Sequence, residues 1–332
     1  VFGVQDVLKN AVDGIDVIVN GITGEVVIEP DAEAVGRNSM SIRGLGETAL
    51  KEAFAYINEE KFFIKANIGS LEDAVQAVEN GADGIGLLRT EFLFMNRDVM
   101  PSEEEQFEVY KDIVCACNGL PVTIRTLDAG SDKPLPFIPI TSEANPALGM
   151  RGIRVSLAMP ELFETQLRAI LRAAVYGLVT VLFPMVTNPG EVKALKKAIA
   201  ESMDKLKDQD IKYGEVKVGV MIETPASALV ASDIAAKVDY LSIGSNDLTQ
   251  YTLAVDRTNS SIASLYEESS PAVLELIRLT VEAGKEAGVP VCVCGEMASK
   301  PAILAELIGI GIREISVSPP FIPRIRSNMS SD

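Results

Sequence analysis

The sequence contains no histidine and no tryptophan among its 332 residues, and aromatic residues make up only 5% of the chain. Any chemistry must therefore run without an imidazole as a base, a metal ligand or a phosphoacceptor. This excludes catalytic triads and metal centres that would need a histidine from this chain.

Positive charge is also scarce, with 30 Lys and Arg against 47 Asp and Glu and a formal net charge of −17. Such an acidic chain repels nucleic-acid phosphates and anionic membranes, so neither is expected as a partner. An anionic metabolite stays open if the few cations converge locally. The sequence has no charge-free apolar run of about 18 residues, so no membrane insertion is predicted. It also shows no secretion signal, which favours a cytoplasmic location.

Cysteine is limited to two closely spaced pairs, Cys115 with Cys117 and Cys292 with Cys294. A four-thiolate zinc site is one interpretation, but structural zinc pairs usually have a longer spacing. The first pair also lies in a predicted helix, where residues two positions apart do not share a face. Reduced, free thiols are therefore favoured.

From residue 61 onward, short apolar runs alternate with amphipathic segments. Residues 71–78 show the helical spacing of apolar side chains, after Ser70 at the N-cap position and with Asp73 completing a capping-box-like start. The alternation predicts parallel βαβ units, and eight of them predict an α/β fold with a (β/α)8 TIM-like barrel. An open, doubly wound sheet is the alternative. The predicted strands cover residues 62–67, 84–88, 122–125, 179–185, 217–222, 240–244, 291–294 and 314–318.

The chain divides into three predicted parts. Residues 1–35 hold two strand-like runs separated by turn residues, and they are too short to own a core, so they are expected to be part of another domain. Residues 36–60 form a connector with a helical second half. Residues 61–332 form the barrel, with an elaborated loop expected over residues 130–160. Since the sequence starts without Met, we expect the chain to be a piece of a longer protein.

Functional groups of such barrels lie where strands end and the following loops begin. Two predicted strands end at arginines, Arg89 and Arg125. A guanidinium binds phosphate or carboxylate through two parallel hydrogen bonds, so the pair predicts an anion site, which Arg151 and Arg257 join if their loops fold inward. The alternative is structural pairing with nearby carboxylates. Lys133, in a loop without the Walker pattern, would reach a phosphate or simply belong to a turn.

Other strand ends carry acids and a thiol. Glu223 and Asp247 follow neighbouring strands and suit Mg2+, although a helix-capping role for Asp247 is equally open. Cys294 ends the seventh strand before Gly295, which would leave room for a ligand to approach. Cys294 is therefore either a general acid or a small buried apolar residue.

Four segments resemble signatures of the phosphoenolpyruvate-utilising enzymes. They are GLLRTEFLF at 86–94, NPALGMRGIR at 145–154, SIGSNDLTQY at 242–251 and CGEMA at 294–298. Their order at successive strand ends makes the resemblance specific, and it covers about residues 61–325. Residues 251–257 resemble the enzyme I branch, from the phosphoenolpyruvate:sugar phosphotransferase system. Pyruvate phosphate dikinase and phosphoenolpyruvate synthase differ there.

The resemblance implies a Mg2+-dependent phosphoenolpyruvate site, with Mn2+ as a substitute. Cys294 would protonate the enolpyruvate carbon, and Asn246 would donate its amide to the ligand. Glu223 and Asp247 would hold the metal. The implied ligand-binding cations are Arg89, Arg125 and Arg257, supported by Arg151 and Lys133.

The resemblance also implies partners. In this family the phosphoryl group passes to a histidine on a swivelling domain and then to a small phosphocarrier protein. Residues 1–35 resemble the tail of that swivelling domain. The barrel of the family forms a homodimer. Because this chain has no histidine, we expect it to bind phosphoenolpyruvate without completing the transfer. The connector 36–60 does not resemble the family's long charged linker. The alternatives are a dikinase- or synthase-type barrel and a catalytically silent, phosphoenolpyruvate-binding dimerisation module.

Overall fold

The computed structural model describes residues 12, 14–19, 26–31, 34, 47–57, 60–95, 97–130, 135–138 and 143–329. Two short strands, β1 (Val17–Val19) and β2 (Val26–Ile28), pair antiparallel. They match the two strand-like runs near the N-terminus, and the turn between them lies outside the described residues. Eight further strands are β3 (Phe63–Ile68), β4 (Ile85–Arg89), β5 (Val122–Arg125), β6 (Val179–Phe183), β7 (Lys217–Ile222), β8 (Tyr240–Ile243), β9 (Val291–Val293) and β10 (Glu314–Val317).

The eight strands form a closed parallel barrel in which each strand pairs with the next along the chain. The barrel closes where β10 pairs with β3, with Glu314 opposite Phe63. The predicted TIM-like barrel is therefore confirmed, and the open-sheet alternative is wrong. Because all eight strands run the same way, their carboxyl ends meet at one rim.

Helices cover the outside of the barrel. The predicted helix after Ser70 begins at Leu71, where the Ser70 side chain accepts a hydrogen bond from the Asp73 backbone N–H at 3.2 Å. The Asp73 carboxylate accepts from the Gly69 N–H at 2.9 Å, one residue before the position of a standard capping box. The helices are α1 (Glu47–Ile57), α2 (Leu71–Glu79), α3 (Glu91–Phe94), α4 (Glu103–Ala116), α5 (Ile153–Ala158), α6 (Pro160–Ala173), α7 (Pro189–Asp208), α8 (Pro225–Leu229), α9 (Ala231–Ala235), α10 (Ser245–Leu253), α11 (Pro271–Ala287), α12 (Pro301–Ile310) and α13 (Ile322–Met329).

The main core lies between the outer faces of the strands and the inner faces of the helices. Strands of a parallel barrel are buried on both faces, which explains their almost continuous apolar sequence. Burying one Leu or Ile side chain stabilises the fold by roughly 1.5–3 kcal/mol. A second cluster lies inside the barrel and includes both Cys292 and Cys294.

Helix α1, in the second half of the predicted connector, packs against the barrel helices α12 and α13. Its buried side chains Leu50, Phe54 and Ile57 join the main core. The chain is therefore already part of the packed barrel unit from residue 47, while the exact domain boundaries stay a prediction.

The expected elaborated loop follows β5 and folds back on itself. Gly130 and Arg151 form an isolated antiparallel bridge. A Cβ atom on Gly130 would lie 2.1 Å from the carbonyl oxygen of Met150, so this close approach requires glycine. Gly152, at a φ of 58°, then turns the chain into α5. The bridge fixes where Arg151 stands relative to the barrel.

All four cysteines are free, and only Cys115 is exposed. Cys115 lies on α4, and Cys294 lies inside the barrel, so the two pairs do not form one site. Across the described ranges, no group of three or more Cys, Asp or Glu residues could hold a metal ion. No helix within those ranges is both long and apolar enough to cross a bilayer.

Candidate active site at the carboxyl rim of the barrel

Strand register brings the predicted residues together at the carboxyl rim. Arg89 and Arg125 are paired neighbours at the ends of β4 and β5. Ile222, Ile243 and Val293 are paired across β7, β8 and β9, and each comes shortly before a predicted site residue. The residues placed by these three strand ends are Glu223, Asn246, Asp247 and Cys294.

Arg125 is buried and holds two carboxylates. Its NH2 group lies 3.1 Å from Glu91 Oε1, and its NH1 group lies 3.3 Å from Asp128 Oδ2. The alternative prediction for this arginine, structural pairing with nearby carboxylates, is therefore correct in part. Its Nε atom, however, is buried without a hydrogen-bond partner in the described part of the chain. An unsatisfied charged donor is costly, so a ligand oxygen at Nε would be stabilised.

Asp128 connects the two buried arginines. It is fully buried, and its two oxygens accept from Arg151 Nε and NH2, both at 3.0 Å. The Asp128 backbone N–H donates to Glu91 Oε1 at 2.9 Å. The ion pairs with Glu91 and Asp128 therefore fix the orientation of the Arg125 and Arg151 guanidinium groups.

Arg151 also reaches the second predicted metal carboxylate. Its NH1 and NH2 groups donate to Asp247 Oδ1 and Oδ2 at 3.2 and 3.0 Å, and NH1 donates to the Tyr251 hydroxyl at 3.3 Å. Burial disfavours the charge of Arg151, but the carboxylates of Asp128 and Asp247 raise its pKa well above the ordinary value. The guanidinium therefore stays cationic.

Glu223 is 1% exposed, and among the described residues one of its two carboxylate oxygens has a hydrogen-bond partner. Its Oε1 accepts from the Met185 N–H at 2.6 Å, whereas Oε2 is buried without a hydrogen-bond partner among the described residues. Burial, followed by the charges of Asp247 and Asp128, raises the pKa of Glu223 to about 8. A cation beside Oε2 would offset the free-energy cost of the buried negative charge on Glu223. Mg2+ takes one or two protein carboxylates and completes its shell with phosphate and water oxygens, so Glu223 and Asp247 fit it.

Two further arginines at the rim have side chains without partners among the residues that the structure describes. The guanidinium groups of Arg89 and Arg257 are half-buried, and within the described ranges neither forms a hydrogen bond or an ion pair. Arg257 is held through its backbone N–H, which donates to Gln250 Oε1 at 3.2 Å. These two cations are therefore available to an anionic ligand. Lys133 lies outside the described residues.

Asn246 links the first turn of α10 to the segment after Cys294. Its Oδ1 accepts from the Glu296 N–H at 3.1 Å, and its Nδ2 donates to Glu296 Oε1 at 3.4 Å. The Tyr266 hydroxyl donates to the Asn246 carbonyl at 3.0 Å. The amide of this half-buried residue is thus oriented, and among the described residues its Nδ2 makes one hydrogen bond, which is long.

Cys294 lies just below this rim. Its Sγ donates to the Ile243 carbonyl at 3.5 Å, and burial raises the pKa of the thiol. It is therefore a neutral thiol near pH 7, the form that a proton donor requires. Cys292 also lines the barrel and is completely buried.

Gly295 requires a correction. A Cβ atom at this position would lie 1.7 Å from Ser245 Oγ, so the glycine is explained by close packing against α10 and not by room for a ligand. The sequence analysis assigned no role to the two supporting acids, Glu91 and Asp128. Their signal was the spacing, since each follows a rim arginine by two or three residues.

A family model described as "PEP-utilising enzyme, PEP-binding domain" matches residues 46–332. The phosphoenolpyruvate-protein phosphotransferase of Priestia megaterium is 40% identical over 338 residues, which cover 99% of this chain and 59% of that relative. The protein of the same name from Bacillus subtilis (strain 168) is 41% identical over 327 residues, covering 96% and 57%. The chain thus spans a little over half the length of these relatives.

Among solved structures, a citrate lyase from Burkholderia xenovorans LB400 superposes with a TM-score of 0.52 at 16% identity, covering 81% of this chain and 77% of the other. At this identity the likeness concerns the barrel fold alone. The match to the family model extends over the whole barrel and includes every described rim residue discussed above. The chain therefore belongs to the phosphoenolpyruvate-utilising enzymes, of which it carries the phosphoenolpyruvate-binding domain.

Proposed function

We propose that the carboxyl rim binds phosphoenolpyruvate and passes its phosphoryl group to a histidine of another domain, with release of pyruvate. The observation that carries this proposal is the set of cationic donors without protein partners in the described residues: the guanidiniums of Arg89 and Arg257 and the buried Nε of Arg125. The name of the curated relatives supports the activity. Because the chain contains no histidine, the acceptor must come from outside it.

The substrate is a small, strongly anionic molecule with a phosphate and a carboxylate. Guanidinium groups bind both through paired, charge-assisted hydrogen bonds. Phosphoryl transfer proceeds through a loose transition state in which charge spreads over the phosphoryl oxygens, so positioned cations do most of the catalysis. The ion pairs of Arg125 and Arg151 with Glu91 and Asp128 would hold these cations in place before the substrate arrives.

We also propose that Glu223 and Asp247 hold Mg2+, or Mn2+ in its place. When bound, the ion would neutralise charge on the phosphate and orient it. The unsatisfied Oε2 of Glu223 supports this proposal. Asn246 would donate its amide to the ligand, with Lys133 as a further phosphate contact.

The proposed role of Cys294 is to protonate the substrate carbon. When the bond between phosphorus and the bridging oxygen breaks, the phosphoryl group goes to the histidine and the enolate of pyruvate remains. The methylene carbon of the enolate takes the proton of Cys294 Sγ, which gives pyruvate and a thiolate that water reprotonates. The raised pKa of the thiol supports this role, because the donor must carry its proton beforehand.

The wider setting follows the relatives and is likewise proposed. The full-length protein would be a cytoplasmic homodimer through the barrel, and its phosphohistidine domain would pass the group to a small phosphocarrier protein for sugar uptake. A dikinase- or synthase-type barrel is disfavoured by residues 251–257. A silent dimerisation module is disfavoured by Cys294, because binding alone needs no proton donor.

The test is phosphoryl transfer from radiolabelled phosphoenolpyruvate with Mg2+. The chain alone should remain unlabelled, and addition of the histidine-bearing domain of a relative should produce an acid-labile label on that domain and release pyruvate. Transfer in this form should be slow, because the effective concentration that a covalent tether provides is lost. Stable label on the chain itself, or no label on the added domain despite bound substrate, would contradict the proposal.

A further inference from the structure

One guanidinium, that of Arg151, bridges two buried carboxylates. Its side edge, formed by Nε and NH2, binds both oxygens of Asp128 at 3.0 Å each. Its end edge, formed by NH1 and NH2, binds both oxygens of Asp247 at 3.2 and 3.0 Å. Arg151 is 2% exposed and Asp247 is 7% exposed, so solvent screens these contacts weakly.

The end edge therefore occupies the carboxylate proposed as a metal ligand. A divalent cation at Asp247 needs one of the oxygens that Arg151 now holds, and the guanidinium charge repels it across a few ångströms of buried space. The side edge is different, because Asp128 also forms an ion pair with Arg125 and its backbone N–H donates to Glu91. Asp247 can thus leave Arg151 without releasing Arg151 from the site.

We propose that Arg151 is a positioning residue that withholds Asp247 from the metal until an anionic phosphate takes over the end edge of its guanidinium. Asp247 then exchanges one cation for another, and Asp128 keeps Arg151 at the rim throughout. Metal ion and phosphate consequently bind as a pair, and each binds weakly by itself. This inference rests on the proposed function, which places both ligands at this rim.

The test is the affinity of the full 332-residue chain for Mn2+ alone, followed by the electron paramagnetic resonance signal of free Mn2+. Arg151→Met should tighten Mn2+ binding about tenfold, the scale of one charge-assisted hydrogen bond that no longer competes. The same variant should bind phosphoenolpyruvate more weakly in the presence of Mn2+.

Arg154→Met is the matched control. It removes the same charge three positions away, but the hydrogen bonds of the Arg154 side chain within the described residues go to the carbonyls of Leu148 and Gly149, at 2.9 and 2.8 Å. It should change the Mn2+ affinity by less than about twofold, as expected for a screened charge. Equal Mn2+ affinities of the two variants would overturn the proposal, because general electrostatics would then explain the effect.

Arg151→Met leaves two buried carboxylates with fewer partners, so this variant could fail to fold. A second variant keeps the proposal testable in that case. Arg151→Lys keeps the charge but has a single ammonium, which cannot hold both carboxylates with paired hydrogen bonds. It should tighten Mn2+ binding by a smaller factor, with thermal melting as the check on folding. Mn2+ affinity unchanged from wild type in a folded Lys variant would also overturn the inference. If the wild-type chain binds no phosphoenolpyruvate at any Mn2+ concentration, the proposed function fails, whereas the Mn2+ comparison still decides the role of Arg151.

Discussion

Arg151 and Asp128 form two parallel hydrogen bonds, Nε to Oδ1 and NH2 to Oδ2, each 3.0 Å long and buried. The paired geometry fixes both the position and the rotation of the guanidinium. The position of this loop residue is thereby fixed relative to the barrel, because Asp128 lies three residues after the end of β5 and is fully buried. The order of the cation cluster thus depends on an acid that would not itself touch the substrate.

Asp128→Asn should weaken phosphoenolpyruvate binding although the residue would not itself contact the ligand. Loss of a charged hydrogen bond costs about 1.5–3 kcal/mol, or roughly 10- to 100-fold in affinity. Breaking a buried ion pair also lowers the stability of the fold, by about 3–5 kcal/mol. Calorimetry with Mg2+ and thermal melting measure the two effects.

Glu164→Gln is the control for Asp128, because Glu164 forms an ion pair with the exposed Lys205 on the outer helices. It should leave substrate affinity unchanged. If Asp128→Asn also binds the substrate as tightly as wild type, Asp128 does not position the arginines.

Glu223 should make the stability of the chain depend on pH. Its folded pKa of about 8 lies above the ordinary value of 4.5, so between these values the folded state holds a proton that the unfolded state has lost. Stability should therefore fall as pH rises across this window and level off above about 8. Glu223→Gln removes this contribution.

The measurement is urea unfolding of both chains with EDTA from pH 5 to pH 9. The free energy of unfolding of wild type, relative to that of Glu223→Gln, should decrease as the pH rises from 5 to about 8. Parallel profiles would show that Glu223 titrates normally in the folded chain.

The four thiols should differ in reactivity. Cys115 is exposed, whereas burial raises the pKa of Cys117 to about 11 and those of Cys292 and Cys294 above the ordinary value. Thiolate is the reactive form, so a disulfide reagent at pH 8 should modify one thiol rapidly and the other three only after denaturation. Rapid modification of Cys292 or Cys294 in the native chain would mean that the barrel interior is open to the reagent.

Cys294→Ala should abolish pyruvate formation without abolishing substrate binding, and Cys292→Ala should retain turnover. Both thiols line the same barrel, but Cys294 follows the end of β9 whereas Cys292 lies within the strand. The two variants therefore distinguish a proton donor near the rim from a packing residue below it. The comparison requires the chain together with a histidine-bearing domain. Wild-type turnover by both variants would assign the proton to water or another acid.

Most of the fold could be predicted from the sequence, because the strands of a parallel barrel are continuous apolar runs and the helices between them have the 3.6-residue period. All eight strands were identified within two residues of their ends. The packing of α1 on the barrel was not predicted. The apolar face of this short helix indicates that it packs against something, but not which surface it packs against.

Strand ends predicted which residues line the rim but not how they pair. The ion pair between Arg151 and Asp247 depends on the bridge between Gly130 and Arg151, a tertiary contact without a local signal. The close packing at Gly295 also has no local signal in the sequence, because only the folded chain places Ser245 against it.

Calorimetric titration of the chain with phosphoenolpyruvate, in Mg2+ and in EDTA, tests directly whether the rim is a metal-dependent substrate site. We expect saturable binding that needs the metal and that weakens roughly 10- to 100-fold in Arg89→Ala, which loses one charged hydrogen bond. Arg278→Ala, which removes an exposed arginine paired with Glu275 on α11, should bind like wild type. Equal affinity in Mg2+ and EDTA, or an unchanged affinity in Arg89→Ala, would contradict the assignment of this rim as a metal-dependent phosphoenolpyruvate site.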